Sequence, residues 1–386
     1  MKARAIVTTL AFAALNSSAF ADDTVILRRV PNDGMKPSAS LDEAGVLHLV
    51  YFGGKPQEGD AFYVTSRDGG ATFSAPLRVN SQAGSVLGAT GIRGPKLALG
   101  GNGRVHVAWN GSTAATPKGP LNPAMPADSP FNGTPLLYAR LSDDGKSFEA
   151  QRNVMQHTCA LDGGSDLAAD RDGRVFIVFH AQLPGAKSEA ERAVWVATST
   201  DDGRTFGKER NALPEPTGVC ACCALATSTD ADGTLAILYR GATKSVQRGM
   251  HLLVSRDHAE TFTHKQLDEW KVATCPMSSA ALLVNKGDIF AAWENAGRIR
   301  LGDAQGIKPW TSETGEGQKL PVLARSPNLN NELTAWTEGM GWNKGGALAW
   351  HYASGDHETN GRKDGVPANG SIAAVALPNG TFVILY

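Results

Sequence analysis

Five cysteines, all between Cys159 and Cys275, are the residues of this 386-residue chain best suited to chemistry. The densest group is Cys220-Ala221-Cys222-Cys223, preceded by Met155-Gln156-His157-Thr158-Cys159 and followed by Cys275-Pro276-Met277. Thiolates, thioethers and an imidazole make a soft donor set, which selects Cu(I), zinc or clusters over hard cations. Thioethers are poor zinc ligands, so Met155, Met277 and His157 tilt the choice toward copper. On this reading Cys222 and Cys223 are core ligands, Cys159 and Cys275 close the site, and Cys220, His157 and Met277 assist. The cargo would be a soft metal ion, with a metal-exchange protein as partner.

Two other chemistries compete for the same residues. Paired cysteines would staple the fold, and because five is odd, two disulfides would leave one thiol over. An activated thiol is the third reading, with Lys271 or Arg93 lowering its pKa. Against it, the run reads as Cys-x-Cys-Cys with no Cys-x-x-Cys recognised, and neither a thioredoxin-like βαβ pattern nor a Cys/His/Asn signature is visible.

The N-terminus bears on that choice. Lys2 and Arg4 precede an uncharged, mostly apolar stretch from Ala5 to Leu15, and Ala19-Phe20-Ala21 supplies a small-x-small cleavage site. This predicts a signal peptide over residues 1–21 and a periplasmic or secreted product, in an oxidising compartment. Losing Lys2 and Arg4 takes the formal charge from −1 to −3. A chain so nearly neutral offers no electrostatic basis for binding nucleic acid or a membrane surface. No cysteine stands at the cleavage point and no later apolar run reaches spanning length, so no membrane anchor is expected.

The elements that must position the thiols are repeats. A strand, a turn and a second strand ending near an aromatic residue recur from Ala39, Leu97, Leu167, Ala226, Ala281, Leu323 and Ala373. Turn residues Gly45, Gly103, Gly173, Gly233, Gly287 and Gly380, with Asn331 in the sixth copy, recur at the spacing of four-stranded propeller blades. The expected fold is therefore an all-β propeller, one domain over 22–386. Its last hairpin would be completed by Thr24–Val30, which removes an exposed sheet edge. The cysteines lie 10 to 14 residues before Gly173, Gly233 and Gly287, in loops leading into the innermost strands of adjacent blades. They are expected to converge on one rim of the axial pocket.

A second hairpin carries a sharper pattern: SRDGGATF from Ser66, LSDDGKSF from Leu141, STDDGRTF from Ser199 and SRDHAETF from Ser255. Here the chain resembles the sialidase-like, Asp-box (BNR-repeat) β-propellers over nearly its whole expected mature length. Asp68, Asp143, Asp201 and Asp257 are then structural aspartates that cap turn N–H groups, and the resemblance places them on the face opposite the active site. The hairpin count favours seven blades, whereas the resemblance points to six.

The resemblance also implies an arginine triad, a tyrosine nucleophile paired with a glutamate, and an aspartate acid/base. Where the family's first arginine motif should stand, the chain reads Met35-Lys36-Pro37-Ser38. Lysine cannot grip a carboxylate with a planar fork. Arg93 and Arg240 could each meet an anion, but neither sits in a family motif, and the late tyrosine, Tyr386, is expected in the closing strand. A catalytic set is thus unassigned. The alternative function is a sialidase-like glycoside hydrolase or glycan-binding propeller with structural disulfides, drawing on loop carboxylates such as Asp162, Asp166 and Glu338.

Overall fold

The computed structural model describes residues 24–129, 131–311, 315–326, 331–340, 344–367 and 370–386. The expected signal peptide lies outside them. The described residues form a seven-bladed β-propeller, with six blades of four antiparallel strands and a seventh of three. The count is seven, not the six to which the family resemblance points.

Blade 3 sets the pattern: Asp166–Ala169 innermost, then Val175–Ala181, Ala193–Ser199 and Arg210–Asn211. Blade 4 follows with Ala226–Thr229, Leu235–Arg240, Met250–Ser255 and Thr263–Gln266, and blade 5 begins at Ala280–Asn285. The second strands are apolar on both sides. Every residue of Val105–Asn110, Val175–Ala181 and Leu235–Arg240 is buried. Each is buried on both faces because each blade is packed between two others. One apolar cluster fills each of the seven interfaces, such as Phe179 with Tyr138 between blades 2 and 3, and Tyr239 with Val178 between blades 3 and 4.

Ring closure has an unusual direction. Val25–Arg28 runs parallel to Phe382–Leu385, with Val25 opposite Phe382 and Arg28 opposite Leu385. Inner strands start at the face where the lead-in loops gather. A segment that feeds directly into blade 1 at Met35 must therefore run toward that face, as Phe382–Leu385 does. The glycines at the inner turns, such as Gly173 (φ 82°) and Gly233 (φ 84°), take the left-handed backbone that a tight hairpin requires. Asn331 is not the sixth turn residue; it opens the strand Asn331–Glu338, and residues 327–330 before it lie outside those described.

The opposite face is bound together by aspartate turns. Asp201 accepts hydrogen bonds from the Ser199 hydroxyl (2.7 Å), the Thr205 N–H (2.8 Å) and the Thr205 hydroxyl (2.6 Å). Asp68 and Asp257 repeat the arrangement with Ser66/Thr72 and Ser255/Thr261. Asp143 does not. Leu141 occupies the serine position and has no hydroxyl to donate, so Ser142 and Asp144 organise that turn. Asp143 pairs with Arg104 instead (2.5 Å).

Burial opposes ionisation of Asp201, but its three hydrogen bonds outweigh this and hold the carboxyl at about 2. Because the folded pKa lies below the ordinary value of about 4, the stabilisation is complete above pH 4 and is lost as pH falls toward 2. Asp201→Asn should therefore lower stability at neutral pH and flatten the loss of stability between pH 4 and 2. Denaturant midpoints measured across that range check this.

Candidate functional site

The lead-in loop of blade 4 is anchored from three sides. The Cys220 N–H donates to the Arg240 carbonyl (2.9 Å), the Ala221 N–H to Glu189 Oε1 (2.8 Å), and the Ala224 N–H to the Ser278 carbonyl (3.0 Å). Glu189 opens a single helical turn, Glu189–Glu191, fixed by a capping box between Ser188 and Glu191. Buried His180 sits with Nε2 2.9 Å from the Cys223 carbonyl. Burial, reinforced by Arg192, depresses its pKa to about 3, so the ring is neutral and donates from Nε2. Gly163 packs directly under this contact, where a Cβ would collide with the Cys223 carbonyl and His180. A side chain there would push the cysteine loop outward.

The loop brings Cys220 Sγ to 2.9 Å from Cys223 Sγ and 3.6 Å from Cys222 Sγ, and the three sulfurs lie within 4.8 Å of one another. Cys222 is bonded to Cys275 across the two lead-in loops, with a Cα–Cα separation of 6.3 Å. Cys275 is exposed and Cys222 half-buried, whereas Cys220 and Cys223 are free and buried. A buried dithiol thus lies against a disulfide that reaches the surface.

Charge around the dithiol is unusual for a protein interior. Arg192, Arg240 and Arg248 are all buried. Arg248 pairs with Glu189 (2.7 Å), and Arg240 lies 3.6 Å from buried Glu294 while its guanidinium covers the Trp270 ring at 4.9 Å. Arg192 Nε and Arg248 Nε and Nη1 make no hydrogen bond among the described residues. Asp162 also faces Arg192 and is shared with Arg93, so four guanidiniums stand against three carboxylates and leave one positive charge in surplus. Burial works against a Cys223 thiolate, but the hydrogen bond from Cys220 and the Arg240 charge prevail and hold this thiol below its ordinary pKa. Cys220, the donor in that bond and itself buried, is pushed the other way. The two shifts are opposite in direction because one hydrogen bond joins the two sulfurs.

Several expected ligands lie elsewhere. Cys222 and Cys275 are joined to each other and are not thiolate ligands in this state. Cys159 stands outside the three-sulfur group: its thiol donates to the Gln182 carbonyl (3.5 Å), and burial raises its pKa. His157 stands 3.2 Å from Glu209 Oε1 and meets the Trp195 ring edge-on, because Glu209 is buried and gathers the N–H groups of Gln156, His157 and Thr158. Met155 is part of the core between blades 2 and 3. Met277 lies half-buried two residues beyond Cys275.

The thiols are also not on the axis. The axial channel, about 360 Å³, is lined by inner-strand residues such as Lys96, Asp166 and Ser228, with Ala224 and no described cysteine at its rim. The dithiol lies in the lead-in loop of blade 4, with His180 of blade 3 on one side and Ser278, ahead of blade 5, on the other. The pairing of Cys220 with Cys223 is a Cys-x-x-Cys motif concealed by Cys222 inside it. Reading the run as Cys-x-Cys-Cys hid this spacing, which was the available signal. The flanking Arg192, Arg240 and Arg248 carried no motif at all.

Residues considered for glycoside chemistry are separated. Arg93 binds Asp162 through its side chain and backbone carbonyl, in a cleft of about 610 Å³ that also includes Glu189 and Arg192. Asp166 is buried in the channel and accepts the Thr227 N–H (2.9 Å). Glu338 accepts the Trp336 indole N–H (2.9 Å) and pairs with Arg362 (3.2 Å) in blade 6. Lys36 is buried, and burial drops its pKa to about 7. The Tyr386 ring is covered by Arg29 at 4.8 Å.

No family model matches the chain, and no curated protein matches it in sequence. Solved structures do. The NanB sialidase of Streptococcus pneumoniae, in complex with 2-[(3-chlorobenzyl)ammonio]ethanesulfonate, is 10% identical over 86% of this chain and 68% of that one, with a TM-score of 0.50. NanB with Optactamide is 10% identical over 89% and 70%, also at 0.50. A PL25 ulvan lyase is 13% identical over 89% and 88%, with a TM-score of 0.47. At such identities the likeness is one of fold. The chain is a β-propeller similar in architecture to sialidases, with a cysteine cluster in the loop leading into its fourth blade.

Proposed function

We propose that this chain is an exported protein that binds and hands on a soft monovalent metal ion, Cu(I), through Cys220 and Cys223. The observation that carries the reading is the pair of buried free thiols 2.9 Å apart, with a third sulfur 3.6 Å from Cys220. Two thiolates are soft donors, and Cu(I) accepts low coordination numbers that such a pair can meet.

Charge supports a monovalent ion. Two thiolates with Cu(I) carry one negative charge, which offsets the surplus left by Arg93, Arg192, Arg240 and Arg248 over Asp162, Glu189 and Glu294. Two thiolates with a divalent ion would be neutral and leave that charge buried and unpaired, at a cost of several kcal/mol. Export fits the oxidising compartment in which a Cys222–Cys275 disulfide persists. The lead-in loops are a suitable place for transfer to a metal-exchange protein, since Cys275 brings that disulfide to the surface.

The reading requires three free thiols in the unreduced protein. Denatured without reductant, the protein should release three alkylatable thiols, with one peptide pair joining Cys222 to Cys275. A map in which Cys220 or Cys223 is disulfide-bonded would remove the ligand pair.

Metal uptake tests the function directly. Unreduced protein kept anaerobic should take up one equivalent of Cu(I) against a competing chelator. Cys220→Ser and Cys223→Ser should each weaken uptake by more than about 100-fold, beyond what loss of a supporting group costs. Cys159→Ser should bind as the wild type does. Wild-type protein that takes up none, or a Cys223→Ser variant that binds equally well, overturns the proposal.

A further inference from the structure

The dithiol and the disulfide are neighbours in a way that metal binding does not require. Cys222 belongs to the same four-residue loop as Cys220 and Cys223, but its bond crosses to the next blade. Its sulfur is 3.6 Å from Cys220 Sγ, close to van der Waals contact, while Cys220 and Cys223 are in hydrogen-bond contact. Three sulfurs in sequence, Cys223, Cys220 and Cys222, therefore lead from the interior to a bond whose far end, Cys275, is exposed. A staple alone needs no free thiol beside it. A ligand pair alone needs no disulfide beside it.

We propose that these four cysteines form an internal thiol–disulfide exchange centre, in which the buried dithiol Cys220/Cys223 and the surface disulfide Cys222–Cys275 trade oxidation states. Cys220 gives its proton to solvent and attacks Cys222 Sγ. The Cys220–Cys222 bond forms, the Cys222–Cys275 bond breaks, and Cys275 leaves with the electron pair and takes up a proton. Cys223 gives its proton to solvent and attacks Cys220 Sγ. The Cys220–Cys223 bond forms, the Cys220–Cys222 bond breaks, and Cys222 leaves with the electron pair and takes up a proton.

The balance is internal. One disulfide and one dithiol exist before and after, two electrons have moved outward, and no external oxidant or reductant is consumed. The outcome is a surface Cys222/Cys275 dithiol that can reduce a disulfide on a partner, and a buried pair that has lost its thiols. That second consequence would release bound Cu(I), and it rests on the metal reading above. The exchange itself does not.

Two groups make the first step feasible. Arg248 and Arg192, with nitrogens that make no hydrogen bond among the described residues, face Cys220 electrostatically and stabilise its transient thiolate. The Glu189 carboxylate and the Arg240 carbonyl fix the backbone at Ala221 and Cys220, so the sulfurs are held within reach rather than meeting by diffusion.

Trapping tests the proposal in the intact, unreduced protein with a Cu(I) chelator present. Native protein is held with iodoacetamide for increasing times, acid-quenched, and digested without reductant for disulfide mapping. The expected product carries alkyl groups on Cys222 and Cys275 together with a Cys220–Cys223 disulfide, and it accumulates at the expense of the Cys222–Cys275 peptide pair. Cys220→Ser should abolish it. Cys223→Ser should stop at the intermediate, with Cys220 bonded to Cys222 and Cys275 alkylated.

Cys159→Ser should match the wild type, showing that a buried cysteine can be replaced without changing the map. If the wild-type Cys222–Cys275 pair persists while native structure is retained, the proposal fails whatever the variants do. Cu(I) uptake by the same wild-type preparation is scored in parallel. Uptake without exchange removes this proposal alone, and exchange without uptake removes the metal reading alone.

Discussion

The structure depends on burying both faces of every blade. A sheet packed on both sides must be apolar on both sides, which is why Val105–Asn110, Val175–Ala181 and Leu235–Arg240 are buried along their whole length. The seven clusters between blades can all be satisfied only if the ring closes. Closure in turn fixes the direction of Val25–Arg28, because that strand must both cover Phe382–Leu385 and lead into blade 1. Once the ring is closed, the spacing and direction of adjacent lead-in loops are set by the core. Stability comes from the interfaces, so the loops are free to carry chemistry.

The two faces spend that freedom differently. On one, short turns are tightened by aspartates such as Asp68, Asp201 and Asp257, whose acceptor oxygens are consumed by local hydroxyls and N–H groups. On the other, long loops pack against one another, and their polar groups are satisfied across blades. The Ala221 N–H reaches Glu189 in blade 3, and Lys319 of blade 6 donates to the Pro276 carbonyl (2.7 Å). This mutual support lets a loop carrying three cysteines in four residues hold one geometry.

Much of the ring was legible because hairpin turns have local causes. Gly173 and Gly233 mark positive φ in the sequence as they do in the structure, and the repeats around them fix the order of blades and the loops in which the cysteines lie. The candidate site was less legible, since its details depend on contacts between loops. Nothing in the sequence near His157 indicates that Glu209, some fifty residues away, gathers three N–H groups and brings His157 with them. Asp143 fits an eight-residue template, but a leucine at one position shifts the hydrogen bonding by one residue. Convergence on one rim of the channel was inferred from the starts of the inner strands, yet the residue of the blade 4 loop that reaches the channel, where it packs with Ile92 and Leu320, is Ala224 and not a cysteine.

Charge connects the remaining observations. Guanidinium groups keep their charge in proteins, so the interior beside Cys220 and Cys223 is one positive charge in surplus unless a sulfur or a bound ion supplies the negative one. With the pair reduced, Cys223, whose pKa is held down by its neighbours, is the sulfur best placed to supply it. With the pair oxidised, any thiolate sits on Cys222 or Cys275, farther out and partly in water, and the guanidiniums are left with less compensation. An uncompensated buried charge costs several kcal/mol. The arginines therefore favour the arrangement seen here, with the dithiol inside and the disulfide outside. Electrons move outward only when something at the surface consumes the exposed thiolate. The same surplus that stabilises a thiolate at rest favours a bis-thiolate complex of a monovalent ion, so metal binding and electron retention draw on one electrostatic cause.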